Sequence, residues 1–338
     1  VKLTPGKLAG MKAVSDKRGV IAAAAMDQRG SLKKSLAKEK GVPDVPDSML
    51  EDFKSIVAEV LTQYASAILL DPEYGLPAAK RRNKSAGLLL AYEKTGYDDN
   101  RPGRMPDLLN LWSVRRLQAA GADCIKILLY YSPFDSKKIN DEKHAFVERI
   151  GDECRGEDIP FFLEFVGYDP QGGDEKGMEY AKRKPESVIR SMEEFSKENY
   201  NVDVLKAEVP INMKFVEGVK SNIGKGSAYS RKEAIDLFRK SAAVAKKPFI
   251  YLSAGVSNEE FAETLELAAE SGVRFNGVLC GRATWANGVP VFAKQGEKAF
   301  VEWMKTEGTR NIQNVNEKLK AATPWYEAYG VKSAAALA

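Results

Sequence analysis

Cys124-Ile-Lys-Ile-Leu-Leu129 is a run of strand-forming apolar residues with a lysine inside it, and two later runs repeat the pattern. Phe161-Phe-Leu-Glu-Phe165 encloses Glu164, and Val204-Leu-Lys-Ala-Glu-Val209 encloses Lys206. Short, continuous apolar runs of this kind read as buried strands, where an unpaired charge is costly. Side chains alternate along a strand, so Lys126 shares a face with Cys124 and Leu128, Glu164 with Phe162, and Lys206 with Val204. One strand lysine could snorkel to a rim or serve a structural ion pair. Three charges in three consecutive strands point instead to a site. Two amines beside one carboxylate are the kit for imine chemistry on a carbonyl substrate: burial and a neighbouring ammonium disfavour the charged form of the attacking amine.

Working outward, the chain gives eight short apolar runs: Ile21–Met26, Ala67–Leu70, Gly87–Tyr92, Cys124–Leu129, Pro160–Phe165, Val204–Val209, Phe249–Leu252 and Gly277–Cys280. Helical periodicity separates them. Leu50, Phe53, Val57, Val60 and Tyr64 recur after Pro46-Asp47-Ser48, and Ser257-Asn-Glu-Glu260 reads as a capping box ahead of Phe261, Leu265 and Ala268. Eight strand-helix units predict an α/β fold, a (β/α)8 TIM barrel with parallel strands. A doubly wound open sheet shares the local pattern, but no Gly-x-Gly-x-x-Gly turn follows the first strand, which ends in Asp27-Gln-Arg-Gly30. The 338 residues read as one catalytic domain, with a charged inserted segment and helix around 170–200 and a frayed alanine-rich tail over 333–338.

Composition excludes several functions. With 51 Lys+Arg against 47 Asp+Glu the net charge is only +4, and the basic residues are scattered, which argues against nucleic acid. No stretch approaches the eighteen or so apolar residues of a membrane span, and Val1–Val20 has no apolar leader core. Cys124, Cys154 and Cys280 lack metal spacing and fit a reducing cytoplasm. His144 is the sole histidine, so neither a zinc site nor a serine-histidine triad can be assembled in the usual way. No cofactor is expected.

In such a barrel the site lies at the C-terminal ends of the strands. Polar residues fall there: Asp27, Gln28 and Arg29 after strand one, Asp71 after strand two, Glu93 after strand three, and Lys206 and Glu208 toward the end of strand six. Taken singly, Asp27 could be a helix cap, Asp71-Pro72 a turn opening, and Glu208 a rim ion pair. After strands seven and eight, Ser253-Ala-Gly255 runs toward a helix start and Gly281 stands beside Arg282. Small residues admit an anion to backbone N–H groups and an arginine adds charge-assisted bonds, so these loops read as a phosphate site. Two ordinary strand-to-helix turns are the plainer alternative.

The motifs Ala25-Met-Asp-Gln-Arg-Gly30, Ala67-Ile-Leu-Leu-Asp-Pro-Glu-Tyr-Gly75, Leu90-Ala-Tyr-Glu-Lys-Thr-Gly-Tyr97, the Lys206 segment, Tyr251-Leu-Ser-Ala-Gly-Val256 and Leu279-Cys-Gly-Arg-Ala-Thr-Trp285 resemble, in order and across nearly the whole chain, the class I tagatose-1,6-bisphosphate aldolases. The resemblance implies metal-independent cleavage of a ketohexose bisphosphate to glycerone phosphate and glyceraldehyde 3-phosphate. It places the Schiff-base lysine on Lys206, the acid/base glutamate on Glu164 and a second site lysine on Lys126. Asp27, Gln28 and Arg29 fall on its Asp-Gln-Arg motif, and Ser253, Gly255, Gly281 and Arg282 on its phosphate loops. In the mechanism this suggests, Asp27 holds hydroxyls or the carbinolamine, and Arg29 grips the far phosphate. The expected partner is a phosphorylated ketose, and a homo-oligomer the expected assembly. Phe165-Val-Gly-Tyr-Asp-Pro170 matches least, which leaves open an aldolase for a related ketose phosphate such as 6-deoxy-6-sulfofructose 1-phosphate. A non-catalytic sugar-phosphate sensor is the alternative from another class.

Overall fold

The computed structural model describes residues 2–94, 101–224 and 226–338. Eight parallel strands close into a barrel in sequence order: β1 Ile21–Met26, β2 Ala67–Leu70, β3 Gly87–Ala91, β4 Cys124–Tyr130, β5 Phe161–Val166, β6 Val204–Ala207, β7 Phe249–Leu252 and β8 Gly277–Cys280. β8 returns to β1 through the pairs Ile21 with Gly277 and Ala23 with Leu279. A doubly wound sheet is thereby ruled out. The observed strands depart from the expected ones only at ends, β6 stopping at Ala207, before Glu208.

Alternation sorts the strand residues into two cores. Ile125, Ile127, Leu163, Phe165, Leu205 and Tyr251 face outward and pack with the helices. Ala23, Ala25, Leu69, Leu89, Cys124, Phe162, Val204 and Ile250 fill the interior. Register sets Glu164 beside Lys206, while Lys126 pairs with Phe162 one inward step lower. Below that level the interior is apolar, and Leu8, Met11, Trp325 and Leu337 seal its base.

Two expectations change here. The charged segment divides into an exposed loop and the helix Met178–Phe195, which is the β5–β6 crossover of the barrel. Its Ala181, Pro185, Val188, Met192 and Phe195 form a buried stripe at three- to four-residue steps, so the charges cover only the outer face. The tail is docked, not frayed: Leu337 is fully buried, and its carbonyl accepts from the Leu3 amide at 2.8 Å. Ser257 does cap the helix Asn258–Ser271 by accepting from the Glu260 amide. The reciprocal capping box forms one helix earlier, between Ser230 and Glu233. Among the described residues no helix is long and apolar enough to cross a membrane.

Candidate active site

A cavity of about 750 Å3 opens at the C-terminal ends of the strands. At its base Lys126 donates to Asp27 Oδ2 at 2.8 Å and Glu93 Oε1 at 2.7 Å and forms an ion pair with Glu164 Oε2 at 2.9 Å. Glu164 Oε2 also pairs with Lys206 Nζ at 2.8 Å. One oxygen thus links the two amines, and residues from β4, β5 and β6 meet a loop side chain from the end of β1. The point among the three acids where a cation would sit is filled by the Lys126 ammonium.

Burial sets the electrostatics. It works against the charged form of Lys126, but Asp27, Glu164 and Glu93 outweigh it and hold the ammonium well above its ordinary range. Burial likewise opposes ionisation of Asp27 and Glu164. Lys126, followed by Lys206, overcomes it at both, so both carboxyls lie below their ordinary values. For Glu93 burial prevails over Lys126 and Arg29 and pushes the carboxyl up. Where the sequence set two amines beside one carboxylate, the structure sets Lys126 against three acids.

The other side of the cavity is suited to an anion. After β7, Ala254 (φ 49°) and Gly255 (φ 76°) take consecutive left-handed conformations and Val256 N donates to Ser253 O at 3.1 Å. Such a turn aims successive N–H groups to one side. A Cβ on Gly255 would lie 2.5 Å from Cζ of Arg282, so the glycine is what lets that guanidinium lie over the loop. After β8, Gly281 stands against Gln28, whose Nε2 would be 3.5 Å from an added Cβ. Trp285 donates from Nε1 to the Ala25 carbonyl at 2.9 Å and ties this loop to β1. Ser253, Gly255, Gly281, Arg282 and Gln28 all line the cavity that holds the amines.

Arg29 lines the same cavity. Its guanidinium donates to Glu73 Oε2 and to the Glu93 carbonyl, each at 2.8 Å, and the side chain is buried. It thereby joins the loops that follow β1, β2 and β3 at the cavity wall. Glu208 takes the rim role, accepting from Gly167 N at 2.7 Å and pairing with Lys184 at 3.2 Å. His144 lies outside the site, among Tyr131, Phe195 and Tyr200, with its Nε2 3.0 Å from the Tyr131 hydroxyl. Residues 95–97, which close the Leu90–Tyr97 motif, lie outside the described residues.

Glu93 was recognised as polar at a strand end but not as a partner of Lys126. The signal is its parity: Leu89, Ala91 and Glu93 alternate on the inward face, which the chain keeps for two residues past β3. Gln28 Oε1 and Glu93 Oε2 are buried without a hydrogen-bond partner.

A closed parallel barrel whose mouth sets amines, acids and anion donors around one cavity is built as an aldolase is. The chain belongs to the DeoC/LacD family of aldolases, whose model matches residues 21–287. It is 55% identical over 325 residues to tagatose 1,6-diphosphate aldolase 2 of Enterococcus faecalis, covering 96% of this chain and 97% of that one. It is 50% identical over 331 residues to a tagatose 1,6-diphosphate aldolase of Listeria monocytogenes, covering 98% and 96%. Among solved structures, fructose-bisphosphate aldolase from Plasmodium falciparum superposes with a TM-score of 0.64 at 16% identity over 98% of both chains, a likeness of fold. The protein is thus an aldolase, a lyase.

Proposed function

We propose that this aldolase cleaves D-tagatose 1,6-bisphosphate to glycerone phosphate and D-glyceraldehyde 3-phosphate through a Schiff base on Lys206. The observation that carries the reading is the single Glu164 oxygen lying 2.8 Å from Lys206 Nζ and 2.9 Å from Lys126 Nζ. Lys206 passes a proton to Glu164, and its lone pair attacks the C2 ketone. The carbinolamine loses its oxygen as water, leaving an iminium. Glu164, ionised again, takes the proton of the C4 hydroxyl, and the C3–C4 bonding pair moves toward the iminium as the aldehyde departs. The resulting enamine takes a proton at C3, and water frees glycerone phosphate and the lysine.

Lys126 stabilises the carboxylate between turns, and Asp27 orients the carbinolamine hydroxyl. The left-handed turn at Ala254–Gly255, with Arg282 and Gly281, holds a phosphate, so remote binding energy fixes the reacting carbons. The relatives' printed names support the tagatose substrate. The buried free thiols Cys124, Cys154 and Cys280 are consistent with a reducing cytoplasm.

The test is a coupled cleavage assay on tagatose 1,6-bisphosphate, fructose 1,6-bisphosphate and 6-deoxy-6-sulfofructose 1-phosphate, with and without chelator. Cleavage of the tagatose ester unaffected by chelator is expected. Faster turnover of the sulfonate would reassign the substrate, complete loss with chelator would overturn the amine mechanism, and tight binding without products would favour a sensor.

A further inference from the structure

Lys54, on the helix Asp47–Leu61, has no part in the steps above, yet it is fully buried behind β1. It occupies the apolar stripe with Leu50, Phe53 and Val57, at helical spacing. Its ammonium donates to the carbonyl oxygens of Met26 and Gln28, both at 2.8 Å, and to the carboxylate of Asp71. An ammonium has three protons, and all three are placed. Asp71 is itself oriented, its second oxygen accepting from the Tyr74 amide at 2.8 Å.

The two carbonyls bracket Asp27. Met26 closes β1, and residues 27–29 belong to no strand or helix, so the ladder no longer fixes their backbone. On the inner side of that turn the Asp27 carboxylate reaches Lys126 at 2.8 Å. An apolar residue would suit the helix stripe at least as well for stability, since a buried ion pair rarely stabilises more than its hydrophobic replacement.

We propose that Lys54, held by Asp71, is a positioning residue that fixes the backbone on both sides of Asp27 and thereby aims its carboxylate into the barrel mouth. The inference rests on the reading of Asp27 as part of the Schiff-base site.

Lys54→Met tests it. Because that change strands the Asp71 charge, Lys54→Met/Asp71→Asn serves as the neutral companion. The companion is expected to fold with kcat/KM lowered about 10- to 100-fold, the scale of a misplaced catalytic group. Built on Asp27→Asn, the same two changes should cost less than about threefold, because coupled sites are not additive. Equal losses on both backgrounds, full activity in the companion, or a companion that does not fold would each overturn the proposal. Borohydride labelling of the wild-type enzyme runs alongside. Absence of an adduct on Lys206 would remove the mechanism itself, whereas an adduct with equal losses removes only the role of Lys54.

Discussion

Lys126→Met should make the protein less stable by an amount that grows with pH. The lysine lies within 2.9 Å of three carboxylates, Asp27, Glu93 and Glu164, above an apolar floor. Breaking a buried ion pair by removing one partner costs about 3–5 kcal/mol. In the wild type, Asp27 and Glu164 lie below their ordinary values of 3.8 and 4.5, so their stabilisation is complete above that range and lost as pH falls through the folded values. Without Lys126, burial dominates and their folded values rise above the unfolded ones. Each such carboxyl then loses about 1.4 kcal/mol per pH unit as pH climbs from the unfolded toward the folded value. Urea unfolding of both proteins from pH 5 to 8 should therefore show a gap of a few kcal/mol near pH 7 that narrows toward pH 5. A gap below about 1 kcal/mol, or one of constant size, would refute the account of Lys126 as the shared counter-ion of three buried acids.

Glu164→Gln should slow borohydride labelling with glycerone phosphate as well as lowering cleavage about 10²- to 10⁴-fold, because Glu164 takes the Lys206 proton before attack and the C4 hydroxyl proton afterwards. Labelling at the wild-type rate would confine Glu164 to the cleavage step. Gly255→Ala places a Cβ 2.5 Å from Arg282 Cζ at a positive φ, so the arginine must move. Losing one charge-assisted bond should raise the Kd for glycerone phosphate about tenfold, readable by calorimetry. Leu337→Ala should cost about 2–5 kcal/mol in urea unfolding, because Leu337 is fully buried in the barrel base. A change near zero would restore the picture of a frayed tail.

The fold was legible because buried parallel strands are apolar on both faces, and each is set off by a helix of different period. Lys126, Glu164 and Lys206 stood out because a charge in such a run has no innocuous place. Parity then predicted their meeting, which the Glu164–Lys206 pair and the 2.9 Å approach of Lys126 to Glu164 realise. Lys54 was harder to see: a lysine one step from Phe53 looks like ordinary helix surface unless it is noticed four residues from Leu50 and three from Val57. The motif placed Arg29 at the mouth of the barrel but not its partners, because Glu73 and the Glu93 carbonyl follow other strands. The helix Met178–Phe195 was obscured by composition, its charges drawing the eye from a regular buried stripe. The alanine-rich tail carries no periodicity at all, and one leucine does the anchoring.

The central claim is covalent. Reduction with borohydride in the presence of glycerone phosphate, followed by peptide mass analysis, should yield one adduct per chain on the peptide holding Lys206, and none in Lys206→Ala. An adduct on Lys126 or elsewhere, or turnover retained by Lys206→Ala, would contradict it.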